Sequence, residues 1–186
     1  MSEVRQAAGQ AGGDAAPAPG YVPASDQGSV AAALQAELLR RSAVVATAES
    51  LTGGRLADVL SEAPGSSDTF VGGVVSYATD VKRNVLGVSD ETVERYGVVS
   101  AECAEEMAAG ARRLVNADYA VSTTGVAGPT TQDDKPVGLV YVGVAGPGGV
   151  TSRRFEMEGD RAAIREKVVK AAVDLVLEVV TGAGAE

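Results

Sequence analysis

The sequence predicts an α/β fold: a single domain built as a three-layer α/β/α sandwich around a mixed sheet. Three observations carry this expectation. Short apolar runs of strand character alternate with helical spacings across residues 29–181. The first such run, Val44 to Ala48, passes through a polar, glycine-containing turn straight into a helical pattern. Two later runs are joined by Gly146-Pro147-Gly148-Gly149 as a hairpin, which places an antiparallel pair in the sheet.

Residues 1–28 are rich in Ala, Gly, Pro, Ser and Gln, with almost no large apolar side chains, and read as a disordered tail; residues 182–186 form a short flexible one. Val30, Leu34, Leu38 and Leu39 give the first helix, with Ser29 as a possible cap. After the strand at 44–48, a second helix runs through Leu56, Val59 and Leu60 until Pro64-Gly65 stops it. Phe70 to Thr79 reads as a strand, and its early Gly72-Gly73 marks a bulge or a close backbone approach. A short helix from Asp80 to Leu86 carries Lys82 in its first turn, where the helix dipole favours a neutral amine; the plain alternative is a solvated surface lysine.

Asp90 to Tyr96 suggests another short helix, and Ser100 caps a longer one through Leu114, on which Cys103 is a packing residue. Tyr119 to Thr124 reads as a strand entering a loop that ends near Pro136. The hairpin strands are Val137 to Ala145 and Val150 to Met157. Asp160 caps a final helix that has Ile164, Val168, Ala171, Leu175 and Val179 on one face. Arg161, at its first position, is suited to an anionic ligand or is an ordinary surface arginine.

Composition narrows the chemistry. A length of 186 residues suits one domain, and a net charge of −9 argues against binding along a nucleic-acid backbone. No apolar stretch is long enough to span a bilayer and the first residues lack a signal-peptide core, so a cytoplasmic protein without a membrane partner is expected. A single cysteine fits a reducing compartment. Histidine is absent altogether, which removes Ser-His-Asp and Cys-His mechanisms and imidazole metal sites. A nucleophilic serine would need another base, and the four lysines are Lys82, Lys135, Lys167 and Lys170.

The stretch Thr47-Ala48-Glu49-Ser50-Leu51-Thr52-Gly53-Gly54 is the place to look for chemistry, because a strand that feeds a helix through such a turn leaves unpaired N–H groups near its hydroxyls. Read alone, it is better taken as a helix start in which Ser50 or Thr52 is the cap and the glycines permit the turn. The glycines make neither a P-loop nor a dinucleotide fingerprint, and Asp133-Asp134 reads as a solvated loop rather than a metal site. No metal and no cofactor are expected.

Taken together, Thr47-Ala48-Glu49-Ser50-x-Thr52-Gly53-Gly54, Pro64-Gly65-Ser66-Ser67, Tyr77 with Lys82 five positions on, Thr124-Gly125-Val126-Ala127-Gly128-Pro129, Lys135-Pro136-Val137-Gly138 and Gly159-Asp160-Arg161 resemble the CinA carboxy-terminal domain family, the nicotinamide-nucleotide amidohydrolases. The resemblance implies hydrolysis of the carboxamide of nicotinamide mononucleotide to nicotinate mononucleotide and ammonia, in pyridine-nucleotide recycling. It also implies Ser50 as nucleophile, Lys82 as general base and Tyr77 as an assistant to the pair. Gly65, Ser67, Thr124 and Arg161 match positions that hold substrate, Arg161 being the choice for the phosphate. A small-molecule nucleotide is thus the expected partner, and a homo-oligomer the expected assembly. Leu51 stands where the family often has Cys, and Thr130 to Asp134 replaces a more glycine-rich loop. These differences leave two alternatives: a nucleotide-binding or partner-binding module without useful catalysis, and an amidohydrolase for a different amide.

Overall fold

The computed structural model describes residues 27–183; most of the two expected tails, 1–26 and 184–186, lies outside them. In chain order the elements are α1 (Gln27–Arg41), β1 (Val45–Glu49), α2 (Arg55–Glu62), β2 (Phe70–Val75), α3 (Thr79–Asn84), α4 (Asp90–Arg95), α5 (Ala101–Leu114), β3 (Tyr119–Gly125), β4 (Leu139–Gly146), β5 (Gly149–Glu156) and α6 (Arg161–Thr181). The five strands form one sheet in the order β2-β1-β3-β4-β5. β1 pairs in parallel with β2 and β3, whereas β3–β4 and β4–β5 are antiparallel. The mixed α/β/α sandwich expected from the sequence is therefore the observed fold.

Apolar side chains divide between the two faces of the sheet. On one face α1, α2 and α6 bury Leu34, Leu38, Leu56, Ile164, Val168 and Val176 against Val121, Val140, Val142 and Val144. On the other, α5 buries Cys103, Met107 and Ala111 against Ala46, Ala48 and Ala120. Small strand residues let α5 lie close: a Cβ at Gly143 would stand 2.7 Å from the Ser122 hydroxyl and run into the main chain at Ala104. No helix among the described residues is long and apolar enough to cross a membrane.

Several boundaries differ from expectation for local reasons. α1 begins at Gln27, so Ser29 lies inside it rather than capping it. β2 ends at Val75 instead of Thr79, because its sole strand neighbour, β1, ends at Glu49 and the chain turns away at Ser50. α6 buries Ala172, Val176 and Val180, while Ala171 and Val179 are only half-buried, so its packed face is rotated slightly from the expected one. The caps at Ser100 and Asp160 are as expected, accepting from the N–H groups of Cys103 and Ala163.

The Gly72-Gly73 pair does both things glycines do in strands. The register against β1 slips between Phe70 and Gly72, the signature of a bulge, and a Cβ at Gly73 would collide with Thr47 Oγ1 and lie 3.0 Å from the Thr47 carbonyl. Gly73→Ala is expected to lower stability by about 1–3 kcal/mol in urea unfolding. Combining it with Thr47→Ala removes the colliding hydroxyl and recovers part of that loss. Equal stability of Gly73→Ala and wild type would show that β2 is free to shift outward.

Candidate active site

The carboxyl ends of the three parallel strands meet at one edge of the sheet, where Glu49 stands opposite Val75 on one side and Thr123 on the other. This is where open α/β sheets place their ligands. Beyond Glu49 the chain leaves the sheet, with the Ser50 N–H still donating to the Thr123 carbonyl at 2.9 Å. Gly53 and Gly54 take positive φ of 58° and 95° and return the chain into α2.

Neither Ser50 nor Thr52 caps that helix. The fully buried Glu49 carboxylate accepts from the N–H groups of Gly54 (2.9 Å), Leu56 (3.0 Å) and Ala57 (2.9 Å). Thr52 pairs its hydroxyl with that of Thr123 at 2.7 Å. The Ser50 hydroxyl is thus left for another partner, and Lys82 Nζ donates to it at 3.0 Å. The same ammonium nitrogen donates to the Ser76 carbonyl at 2.6 Å. Ser76 is itself fixed, its N–H donating to the Glu49 carbonyl at 2.8 Å.

Lys82 is a buried residue, only 2% exposed, which excludes a solvated surface role. Its pKa is lowered first by burial, while the nearby Cys103 side chain pulls weakly the other way. The dipole argument does not apply, since Lys82 lies in the last turn of the six-residue α3 rather than in its first. Burial does the work instead. Cys103 packs in the core beneath α5, and burial pushes its thiol up to about 11.

Tyr77 lines the same cavity but makes a different partnership from the one expected. Its side chain is largely exposed, and its hydroxyl accepts from Arg161 at 2.9 Å rather than bonding to Ser50 or Lys82. Arg161 also donates to the Gly128 carbonyl at 2.8 Å, so both its terminal nitrogens are oriented by the protein. Thr124 is fully buried at the end of β3, donating to the Val98 carbonyl at 2.5 Å. Ser50, Tyr77, Lys82, Thr124, Gln132 and Arg161 together line a cavity of about 270 Å³.

Gly65 and Ser67 are not part of it. They lie just before β2, and that strand carries the chain roughly 17–20 Å to the end where Tyr77 stands. Neither lines the cavity that contains Ser50. Their observed work is local: Gly65 takes a positive φ of 85° and its carbonyl accepts from the Asp68 N–H.

Three contributors were not legible from spacing. Ser76 supplies a carbonyl, which any residue type carries. Lys135 donates to the carbonyls of Tyr96 (3.1 Å) and Val99 (2.8 Å), pinning the loop after β3 over the cavity. Arg165 donates to the Thr52 carbonyl at 2.5 Å, holding the serine turn from α6. Among the described residues no group of three His, Cys, Asp or Glu side chains could hold a metal ion. Asp133 and Asp134 instead form a turn at positive φ of 49° and 57°.

Comparison with known proteins bears on this arrangement. A model of the CinA C-terminal domain matches residues 27–180. The chain belongs to the CinA C-terminal domain family. A CinA-like protein of Frankia casuarinae is 49% identical over 145 residues, covering 78% of this chain and 34% of that protein. A putative competence-damage inducible protein of Bacillus subtilis is 39% identical over 153 residues, covering 82% and 37%. The chain thus spans little more than a third of the length of these relatives. Among solved structures, the competence/damage inducible protein CihA of Agrobacterium tumefaciens superposes with a TM-score of 0.80 at 35% identity, covering 84% of this chain and 96% of that one. A CinA superfamily protein of Escherichia coli superposes with a TM-score of 0.80 at 30% identity, covering 86% and 94%.

The buried amine has a measurable thermodynamic signature. Between its lowered folded pKa and the ordinary value of about 10.4, the unfolded chain holds a proton at Lys82 that the folded chain has released, so stability rises with pH across that window. Wild type is therefore expected to gain stability relative to Lys82→Met as pH increases from 7 toward 10 in urea unfolding. A difference between the two that stays flat with pH would contradict a depressed Lys82.

Proposed function

We propose that this protein hydrolyses the carboxamide of nicotinamide mononucleotide to nicotinate mononucleotide and ammonia, in pyridine-nucleotide recycling, with Ser50 as nucleophile and Lys82 as base. The observation that carries the reading is the 3.0 Å contact between Ser50 Oγ and a buried Lys82 Nζ whose pKa is lowered. A neutral amine in that position accepts the Ser50 proton as the oxygen attacks the amide carbon. The Ser76 carbonyl holds one of its N–H bonds and so aims the lone pair at the hydroxyl. The amine then passes the proton to the departing nitrogen, ammonia leaves, and an acyl-enzyme remains. Water, relieved of a proton by the same amine, attacks the ester and releases the carboxylate with Ser50 restored.

The oxyanion that forms twice on this path needs donors in place. The start of α2 does not supply them, because Glu49 occupies the N–H groups of Gly54, Leu56 and Ala57. The Gly65 loop is at the wrong end of β2. What remains is main chain lining the cavity, at Leu51 or at Ala127 and Gly128; the neighbouring Val126 N–H already donates to Leu139. Arg161, oriented by Tyr77 and Gly128, suits the phosphate of the nucleotide.

Incubation of the purified protein with nicotinamide mononucleotide is expected to release ammonia, and Ser50→Ala and Lys82→Met to lower kcat by several orders of magnitude while remaining folded. Wild-type turnover no greater than that of Ser50→Ala would refute the reaction. Activity should rise with pH through the lowered Lys82 pKa, since the base must be neutral. Tyr77→Phe tests a separate point: with its hydroxyl on Arg161, its loss should raise KM more than it lowers kcat. A fall in kcat at unchanged KM would return Tyr77 to the catalytic pair.

A further inference from the structure

One wall of the cavity ends in a miniature hairpin. Gln132 and Lys135 exchange both main-chain bonds, the Gln132 N–H donating to the Lys135 carbonyl at 3.3 Å and the Lys135 N–H to the Gln132 carbonyl at 2.8 Å. Asp133 and Asp134 between them have φ of 49° and 57°, the two positive values of a type I′ turn, a conformation that Asp tolerates better than most residues. Residues paired directly opposite one another project their side chains from the same face of the ribbon. Lys135 reaches the body of the molecule with its ammonium, donating to the Tyr96 and Val99 carbonyls, and Gln132 is therefore turned the same way, into the cavity that it lines.

The polar groups of that cavity fall into two sets. One is committed inside the protein: Ser50 to Lys82, Thr124 to the Val98 carbonyl, and Tyr77 to Arg161, which also holds the Gly128 carbonyl. The other set, the hydroxyls of Thr79, Thr130 and Thr131 and the carboxamide of Gln132, lines the cavity without a hydrogen-bond partner among the described residues. No carboxylate is among the described lining residues, and Asp133 instead lines a neighbouring hollow with Glu94 and Arg95. Neutral groups of this kind select neither an anion nor a cation. A carboxamide offers a donor and an acceptor side by side, and its complement is a group that offers the same pair, such as the vicinal hydroxyls of a sugar ring.

We propose that Gln132 is a specificity-determining residue that binds the ribose diol of the ligand, with the hydroxyls of Thr130 and Thr131 beside it. The proposal rests on the amidohydrolase reading, which supplies a nucleotide as the ligand and sets its carboxamide at Ser50 and its phosphate at Arg161. The sugar lies between those two groups in the nucleotide, and the neutral wall is what the cavity offers it. Because Thr130 to Asp134 replaces a more glycine-rich loop, the contact is made by side chains particular to this chain.

The test compares turnover of nicotinamide mononucleotide with that of its 2′,3′-dideoxy analogue. Wild type should have a KM about tenfold higher for the dideoxy compound, since each neutral hydrogen bond contributes a factor of about 3–10. Gln132→Met keeps the length of the side chain and removes its polar atoms; it should raise KM for nicotinamide mononucleotide about tenfold and leave KM for the dideoxy analogue at its wild-type value. Gln132→Asn, with the carboxamide on a shorter stem, should fall between. The side chain is exposed and bonds to no described residue, so both variants should unfold at the wild-type temperature.

A wild type that does not distinguish the two nucleotides would overturn the proposal. So would a Gln132→Met protein whose KM is unchanged for both compounds, or raised equally for both, which is what a purely structural role of the turn produces. For a protein without amide turnover, the same comparison is made by calorimetry with nicotinate mononucleotide and its dideoxy analogue. A diol preference that Gln132→Met removes would then keep the site and refute the reaction, whereas binding of neither compound, or of both alike, would refute the site as well.

Discussion

Glu49 is an ionisable side chain with no exposure to water, and its two carboxyl oxygens accept from three N–H groups at the start of α2. Much else depends on that arrangement. A helix start normally recruits a nearby hydroxyl, and the hydroxyls of this turn are those of Ser50 and Thr52. With the carboxylate doing the capping, Ser50 keeps its oxygen free for Lys82. The Glu49 carbonyl meanwhile anchors the Ser76 N–H, and the Ser76 carbonyl holds Lys82. One residue at the end of β1 therefore sets the position of both members of the pair, through its side chain on one and its main chain on the other.

Lys82 is treated in the opposite way. It is as deeply buried as Glu49, but it is given a carbonyl and a hydroxyl instead of a carboxylate partner. Nothing in its hydrogen bonding favours the charged form strongly enough to offset desolvation, so the neutral amine gains. A salt bridge in the same place would stabilise the ammonium and remove the neutral amine that the proposed reaction requires.

The sequence made the layers, the hairpin and the strand-turn-helix at Ser50 legible, because each is written locally in periodicity and in glycine placement. It also pointed to the pairing of Ser50 with Lys82: the absence of histidine left lysine as the base, and the family resemblance identified which lysine. What it did not carry were relations between distant main-chain atoms, such as the Ser76 carbonyl under Lys82 or the Thr52 carbonyl under Arg165. The location of Gly65 and Ser67 was illegible for a related reason. Their closeness in number to Ser50 suggests proximity, but β2 intervenes and carries the chain across the whole sheet. The dipole explanation for Lys82 failed because α3 starts one residue earlier and ends two residues earlier than expected, which leaves Lys82 in its last turn, while the physical outcome it was meant to explain, a disfavoured ammonium, arises from burial.

The mixed sheet explains why the cavity has a wall on its open side. β3 runs parallel to β1, so its carboxyl end arrives beside Ser50, but its next neighbour β4 is antiparallel. The chain leaving β3 must therefore turn back at the same edge of the sheet, and it does so through residues 126–138. An all-parallel sheet would instead send the chain away through a crossover and leave that edge uncovered. Two short main-chain bonds, from Val126 to Leu139 and from Gly138 to Val126, close the base of this loop, and Lys135 fastens its far side to Tyr96 and Val99. The reversal of strand direction, which in the sequence is only a hairpin signal some twenty residues downstream of Thr124, is thereby what brings Gly128 and Gln132 around the serine and gives Arg161 a carbonyl to rest on.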